Sequence, residues 1–407
     1  MAVGVGIINE LLPVQGVSLG VACAGIKSVG RRDLVVLELS PGATVGAVFT
    51  KNAFCAAPVK ICKEHLASGS EIRFLVINTG NANAGTGEQG LEDARETCNR
   101  LAAKRSLQPE QVLPFSTGVI GEYLPMPVLI SGIPQALATL SVDNWMDAAT
   151  GIMTTDTRPK GVSRQFEYQG ETITVTGVAK GAGMIKPNMA TMLAFVATDA
   201  KVSKDMIQTI AAEAAEASFN RITVDSDTST NDSSVLIATG QANTPLVSNK
   251  QDALYGYLLK TVKEVMLSLA QQIIRDAEGA TKFIEVRVKG SQSVDEALVI
   301  AYSVAESPLV KTAMSASDAN WGRLLMAVGK APVAGLDVDK IDLFLGDVCI
   351  ASQGERHPEY SEDKGAAVVG QEEIQVIIDL NSGDAEASVW TSDLSHDYVT
   401  INAEYRT

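Results

Sequence analysis

Short apolar runs with the character of strands alternate with stretches of helical period along the whole chain, and that alternation restricts it to layered α/β architecture. Asp33–Leu39 and Ala47–Thr50 read as strands, and Arg73–Asn78, with its continuous Phe-Leu-Val-Ile, reads as a buried one. Helical spacing follows at 90–105 through Leu91, Ala94, Cys98, Leu101 and Ala102. Ser203 can cap a helix that places Met206, Ile207, Ile210, Ala214 and Ala217 on one face. The longest helix is predicted over Asp252–Arg275, with Leu254, Leu258, Val262, Val265, Leu269 and Ile273 inward. Strand character returns at Phe283–Val288, Ile341–Leu345, Glu373–Leu380 and Glu386–Trp390. At 407 residues the chain exceeds one ordinary core, so two domains, or two subdomains about a shared sheet, are expected. Gly, Asn and Thr gather in a few connections, Asn78–Gly90, Ser116–Gly121, Lys180–Thr191 and Asp225–Ser234. Such polar loops at strand ends are where α/β enzymes carry their chemistry.

The formal charge of −15 argues against nucleic acid or an anionic membrane as the main partner. No window approaches the roughly 18 apolar residues of a membrane span, and residues 1–20 lack the basic start of a secretory leader. A cytoplasmic location is therefore expected. The five cysteines (Cys23, Cys55, Cys62, Cys98, Cys349) form no CxxC pair and read as buried, reduced thiols. Three scattered histidines do not support a Cys/His zinc site, so no metal is expected.

The stretch most suggestive of chemistry is Lys180-Gly-Ala-Gly-Met-Ile-Lys-Pro-Asn-Met-Ala-Thr191. It lies between two predicted strands, Glu171–Val178 and Met192–Ala197, and its glycine-rich loop ends on a small residue followed by Thr. A Thr freed at its α-amine can use that amine as the base for its own hydroxyl and needs no histidine. An α-amino group with a reference pKa of about 7.7–8.0 is partly neutral near pH 7.

Several motifs in fixed order carry a resemblance over nearly the full length. They are Ala47-Val-Phe-Thr-Lys-Asn52, Asn78-Thr-Gly-Asn-Ala-Asn-Ala84, Ser116-Thr-Gly-Val-Ile-Gly121 and Met153-Thr-Thr-Asp-Thr157, then the Lys180–Phe195 stretch. Asp276-Ala-Glu-Gly-Ala-Thr-Lys282, Asn320-Trp-Gly-Arg323 and the terminal Asp397–Thr407 follow. Together they resemble the ornithine acetyltransferase (glutamate N-acetyltransferase) family of arginine biosynthesis. The chain departs from the usual family pattern at Ala319, where Pro is commoner, and around Val14–Gly20, which lacks the usual Pro-Lys-Gly.

The resemblance implies a layered αββα-type sandwich with a smaller C-terminal α/β subdomain. It implies autocatalytic cleavage between Ala190 and Thr191, into an N-terminal fragment 1–190 and a C-terminal fragment 191–407, two copies of each assembling. Thr191 would take the acetyl group from N-acetylornithine and pass it to glutamate, with Thr117 and Gly118 as oxyanion donors. Thr155, Thr157, Lys180, Glu278, Asn402 and Thr407 match substrate-binding positions. Lys180 would hold the α-carboxylate shared by both substrates or bias the protonation of the Thr191 amine; Glu278 would receive the ornithine ammonium. No cofactor is expected, and the use of acetyl-CoA as a second acetyl donor is left open.

Two motif-like stretches are set aside. Gly85-Thr-Gly-Glu-Gln-Gly90 fits G-x-G-x-x-G, but its first glycine lies seven residues past Asn78, and Glu88 would face a pyrophosphate. Asp225–Asp232 suggests a calcium loop yet lacks the glycine and glutamate such a loop needs, and reads as a polar loop near the active site. The rival readings are a self-cleaving Thr-nucleophile aminopeptidase or amidohydrolase, a nucleotide-binding oxidoreductase, and a non-catalytic metabolite-binding protein.

Overall fold

A computed structural model describes residues 2–4, 10–186 and 192–404. The first sheet runs in the order β1 (Val17–Ala22), β2 (Leu34–Leu39), β4 (Phe74–Asn81) and β5 (Val112–Val119). The second runs β3 (Thr44–Phe49), β10 (Ser233–Ala238), β8 (Leu193–Thr198), β7 (Glu171–Lys180) and β6 (Lys160–Tyr168). These two sheets pack face to face. Alternation of side chains across each strand decides which layer each residue enters. Leu75 and Ile77 of β4 point into the inter-sheet core with Val35 and Leu37, while Phe74 and Val76 face the helices outside. Leu193 and Phe195 of β8 meet that core from the other side, and Phe195 packs edge-on against Phe115 of β5 at 5.1 Å.

Helices close both outer faces. On the first sheet lie α1 (Ala57–Ala67), α2 (Gly87–Arg105) and α3 (Met126–Ala138). The short α4 (Trp145–Gly151) inserts Trp145 into the inter-sheet core. On the second sheet lie α5 (Lys204–Glu216) and α6 (Ala253–Arg275). All six inward residues predicted for α6 are buried, so the periodicity marks its core stripe correctly. Ser203 sits at the N-cap of α5 with extended backbone, though its hydroxyl makes no capping bond. The αββα sandwich expected from the sequence is the architecture found.

The third sheet belongs to the C-terminal subdomain and was legible only in part. Its order is β14 (Glu355–Arg356), β13 (Val348–Ser352), β12 (Asp342–Leu345), β15 (Glu373–Asp379), β11 (Phe283–Ser291), β16 (Ala385–Ser392) and β9 (Ile222–Thr223). Helices α7 (Val294–Ala305), α8 (Pro308–Ser315) and α9 (Trp321–Gly329) share its core, with α10 (Glu362–Val369) alongside. The Asn320-Trp-Gly-Arg323 motif is the N-cap of α9: the Asn320 side chain accepts from the Arg323 N–H at 3.2 Å. The chain closes with α11 (His396–Ala403), which buries none of its residues. Of the five cysteines only Cys62 and Cys98 are buried. Cys23 is exposed and Cys55 and Cys349 are half-buried, which corrects the expectation of five buried thiols.

Candidate active site

The strand β7 ends at Lys180 and pairs antiparallel with β8, with Lys180 opposite Leu193. The two strands flanking the glycine-rich loop therefore lie side by side, and the loop returns the chain to its own neighbour. Thr191 and Ala190 lie outside the described residues, as does Thr407. The chain on either side of the interval is well anchored. The Ile185 N–H donates to Asp225 Oδ1 at 2.7 Å, the Met184 N–H to Asp225 Oδ2 at 2.6 Å, and the Ile185 carbonyl accepts from Val224 at 2.7 Å. Beyond it, the Met192 carbonyl accepts from Ser233 at 2.9 Å. Asp225 is also bound by the Tyr398 hydroxyl at 3.1 Å, and burial beside that carboxylate pushes the Tyr398 phenol well above its usual range.

Ile185 and Met192 both line a cavity of about 140 Å³. Thr117, Gly118, Thr155, Lys180, Glu278 and Asn402 line it too, brought together from five separate stretches of the sequence. The polar loop Ser229–Asp232 forms a further wall, as expected for the Asp225–Asp232 segment.

Thr117 and Gly118 are placed by an irregularity between β4 and β5. Gly80 pairs with Gly118, and the register then slips so that Asn81 meets both Thr117 and Val119. Asparagines stitch this bulge. Asn78 Oδ1 accepts from the Ser116 hydroxyl at 2.6 Å, and Asn231 Nδ2 donates to the carbonyls of Ala82 at 2.6 Å and Ser116 at 2.9 Å. Gly118 has φ +138°, and a Cβ there would sit 2.3 Å from the Gly80 carbonyl carbon. Glycine is needed on both counts. Thr117 and Thr155 line the cavity, and their hydroxyls have no protein partner among the described residues.

Glu278 is buried and accepts from Asn402 Nδ2 at 2.8 Å, the one polar tie from α11 into the cavity among the described residues. Its backbone N–H donates to the Ala182 carbonyl at 2.9 Å, and its carboxylate lies flat on Gly183, where a Cβ would come within 2.4 Å of Oε2. That contact explains the second glycine of the Lys180-Gly-Ala-Gly segment. Lys180 makes no ion pair among the described residues. Burial pushes its ammonium down from its ordinary range, against the opposing pull of Asp156, Asp232 and Glu278.

Thr157 is placed differently. It is exposed, lies outside this cavity, and its hydroxyl and N–H both donate to Asp276, the N–H at 3.0 Å. It borders an adjoining recess that shares the walls Thr155 and Glu278. Of the two threonines, Thr155 is the one with a hydroxyl available to a ligand.

Beneath the cavity floor lies a cluster that sequence reasoning missed. Lys160, 1% exposed, donates to Asp156 Oδ1 and to Asp276 Oδ2, each at 2.6 Å. Burial works against the Asp156 charge, but the Lys160 and Lys180 ammonium groups and the Gly181 N–H hold its carboxyl well below the usual range. The available signals were Asp156 inside the Thr-Thr-Asp-Thr motif and Asp276 at the head of Asp276–Lys282; nothing in one sequence pairs the two with each other or with Lys160. Among the described residues there is no cluster of three or more His, Cys, Asp or Glu that could hold a metal, and no helix is long and apolar enough to cross a membrane.

The profile of the ArgJ family matches residues 18–407. The arginine biosynthesis bifunctional protein ArgJ of Pseudomonas fluorescens (strain Pf0-1) is 56% identical over 407 residues, covering all of both chains. The protein of the same name from Pseudomonas syringae pv. tomato shows the same identity and coverage. A crystal structure of the arginine biosynthesis bifunctional protein argJ from Bacillus halodurans is 37% identical, with a TM-score of 0.50; the match covers 52% of this chain and 99% of that one. With a family match over nearly its whole length and relatives identical at more than half of all positions, the chain belongs to the ArgJ family.

Proposed function

We propose that this enzyme moves the acetyl group of N2-acetyl-L-ornithine to L-glutamate through an acetyl-Thr191 intermediate, releasing ornithine and then N-acetylglutamate. The observation that carries the reading is the convergence of Thr117, Gly118, Thr155, Lys180, Glu278 and Asn402 on one cavity. The chain enters and leaves the Pro187–Thr191 interval at that cavity's walls, through Ile185 and Met192.

In this mechanism cleavage of the Ala190–Thr191 bond frees the Thr191 amine. The amine takes the hydroxyl proton as Oγ attacks the acetyl carbonyl, and the resulting alkoxide is held by the Thr117 hydroxyl and the Gly118 N–H. One such donor is worth about 10²–10³ in rate. Collapse breaks the amide, and the proton passes to the leaving ornithine nitrogen. The glutamate amine then attacks the ester and restores Thr191. Each half is an acyl exchange, so the balance needs no redox or metal cofactor. Lys180 is the anchor for the α-carboxylate that both substrates share, and Glu278 receives the ornithine ammonium in place of Asn402. Thr155 supplies a hydroxyl to the substrate, Asn402 reaches it from α11, and Thr407 is a further substrate contact in this reading.

Cleavage would leave fragments 1–190 and 191–407 as one folding unit. The second sheet takes β3, β6 and β7 from the first and β8 and β10 from the second, and β7 and β8 are hydrogen-bonded neighbours. The Bacillus halodurans chain is matched over 99% of its length by 52% of this one, a share close to that of either proposed fragment. We further propose two copies of each fragment in a cytoplasmic enzyme. Membership of the ArgJ family favours acetyl transfer over the aminopeptidase reading.

The testing experiment is glutamate acetylation measured side by side with N-acetylornithine and with acetyl-CoA. Transfer from N-acetylornithine is expected. Release of free acetate in place of N-acetylglutamate would restore the hydrolase reading, and the acetyl-CoA arm decides whether a second donor is used.

A further inference from the structure

Three walls of the cavity, those bearing Thr155, Lys180 and Glu278, come from segments far apart in the chain. Each is tied to the same buried carboxylate cluster. Asp156 Oδ1 accepts from the Gly181 N–H at 2.7 Å, the peptide that follows Lys180. Asp156 Oδ2 accepts from the N–H of Thr154, the residue that precedes Thr155, at 2.9 Å. Lys160 carries the connection on to Asp276, which stands two residues before Glu278 and also accepts from the Thr157 N–H at 3.0 Å. Every hydrogen-bonding group here is buried or backbone, except the Thr157 hydroxyl.

We propose that Asp156 is a positioning residue of this site: backed by Lys160 and Asp276, it fixes Gly181 and Thr154 and so holds Lys180 in register with Thr155 and Glu278. The inference rests on the acetyl-transfer reading and goes beyond it, because Asp156 lines no part of the cavity. It acts through Lys180, the anchor for the substrate α-carboxylate. A salt bridge serving only the core would sit on a site of no consequence to binding. This one brackets Lys180 by hydrogen bonding to the next peptide.

The groups whose charge reaches Lys180 are Asp156 and Lys160 from the loop and start of β6, Asp232 ahead of β10, and Glu278 after α6. Asp156 favours the Lys180 cation and Lys160 opposes it. Two variants therefore act in opposite directions. Asp156→Asn removes the supporting charge, so Lys180 loses its proton at lower pH. Lys160→Met replaces the buried ammonium with an apolar chain of similar length, so Lys180 keeps its proton to higher pH.

The experiment is the pH dependence of KM for N-acetylornithine, whose own groups do not titrate between about pH 6 and 9. Melting temperature and the fragment pattern on a denaturing gel serve as folding controls. For Asp156→Asn the alkaline rise in KM is expected to move about one unit or more toward acid. KM itself should increase by roughly 10-fold or more as the Lys180 anchor loosens. For Lys160→Met the rise moves toward alkali. If Asp156→Asn does not fold, the alkaline displacement in Lys160→Met remains as the test. Wild-type limbs in both variants, or displacement in the same direction, would overturn the proposal whatever happens to stability. A wild-type enzyme that moves no acetyl group would instead defeat the reading of the reaction, so the two failures are distinct.

Discussion

Gly118→Ala is the sharpest structural perturbation of the proposed oxyanion hole. A Cβ at residue 118 would lie 2.3 Å from the Gly80 carbonyl carbon, 2.4 Å from the Asn81 nitrogen and 2.7 Å from the Gly80 Cα. All three atoms are backbone, pinned by the β4–β5 pairing and by the Asn78–Ser116 and Asn231–Ser116 hydrogen bonds. Ordinary carbon contact is about 3.5 Å, so the residue 118 peptide and its neighbour must part by about 1 Å. The strain at φ +138° adds to this. A displacement of that size in a positioned group costs about 10² in rate, and loss of an oxyanion donor costs about 10²–10³. The donor acts on charge that develops during reaction, so the loss should fall on kcat with KM little changed. Stability should drop by roughly 1–3 kcal/mol from overpacking. Gly42→Ala is the control, with φ +85° and nothing within 4 Å of its added methyl. It should lose stability with full activity. Initial rates of N-acetylglutamate formation and thermal melts decide the matter. A Gly118→Ala enzyme with kcat within about threefold of wild type would refute the assignment of this peptide to the oxyanion hole.

Other consequences follow from the same geometry. Gly183→Ala places a methyl 2.4 Å from Glu278 Oε2, the far end of a side chain that must shift and give up its bond from Asn402. KM for N-acetylornithine should rise about 10- to 100-fold with little change in melting temperature, and unchanged KM would remove Glu278 from ammonium recognition. Lys311 is buried, and burial pushes it down to about 8 despite Asp393, Asp225 and Glu306. Between about pH 8 and 10 the unfolded chain thus binds a proton that the folded chain has released, so this group's contribution to stability rises with pH in that window, by on the order of 3 kcal/mol. Lys311→Met should flatten that part of a melting-temperature profile, and an unaltered slope would count against it. Thr191→Ala should stay one inactive chain, whereas Thr191→Ser should still cleave, slowly; normal cleavage and transfer in Thr191→Ala would overturn both roles.

Periodicity carried the fold as far as it reports on local environment. The β4 run and the α6 stripe are buried as read, because β4 meets a layer on each face and α6 turns one apolar stripe to the second sheet and its other side to solvent. The C-terminal subdomain was less legible, since β9, β13 and β14 have only two to five residues and gain their place from neighbours in the sheet. At the site, motif order named Thr117, Gly118, Thr155, Lys180, Glu278 and Asn402, and the fold brings those six together. It did not name Asp156 as a support, nor Lys160 or Asp276, because a buried ion pair between residues 116 positions apart leaves no periodic trace. Gly183 was visible only as part of a glycine-rich loop; its reason is the Glu278 carboxylate, 95 positions on.

The central claim is that Thr191 carries the acetyl group, and the most direct measurement is to offer the enzyme radiolabelled N-acetylornithine without glutamate. The account predicts one acetyl group per active site, on the fragment whose N-terminal sequence begins Thr-Met-Leu-Ala-Phe, mapped to Thr191 and discharged as N-acetylglutamate when glutamate is added. Full transfer activity with no label retained, or label on any other residue, would contradict it.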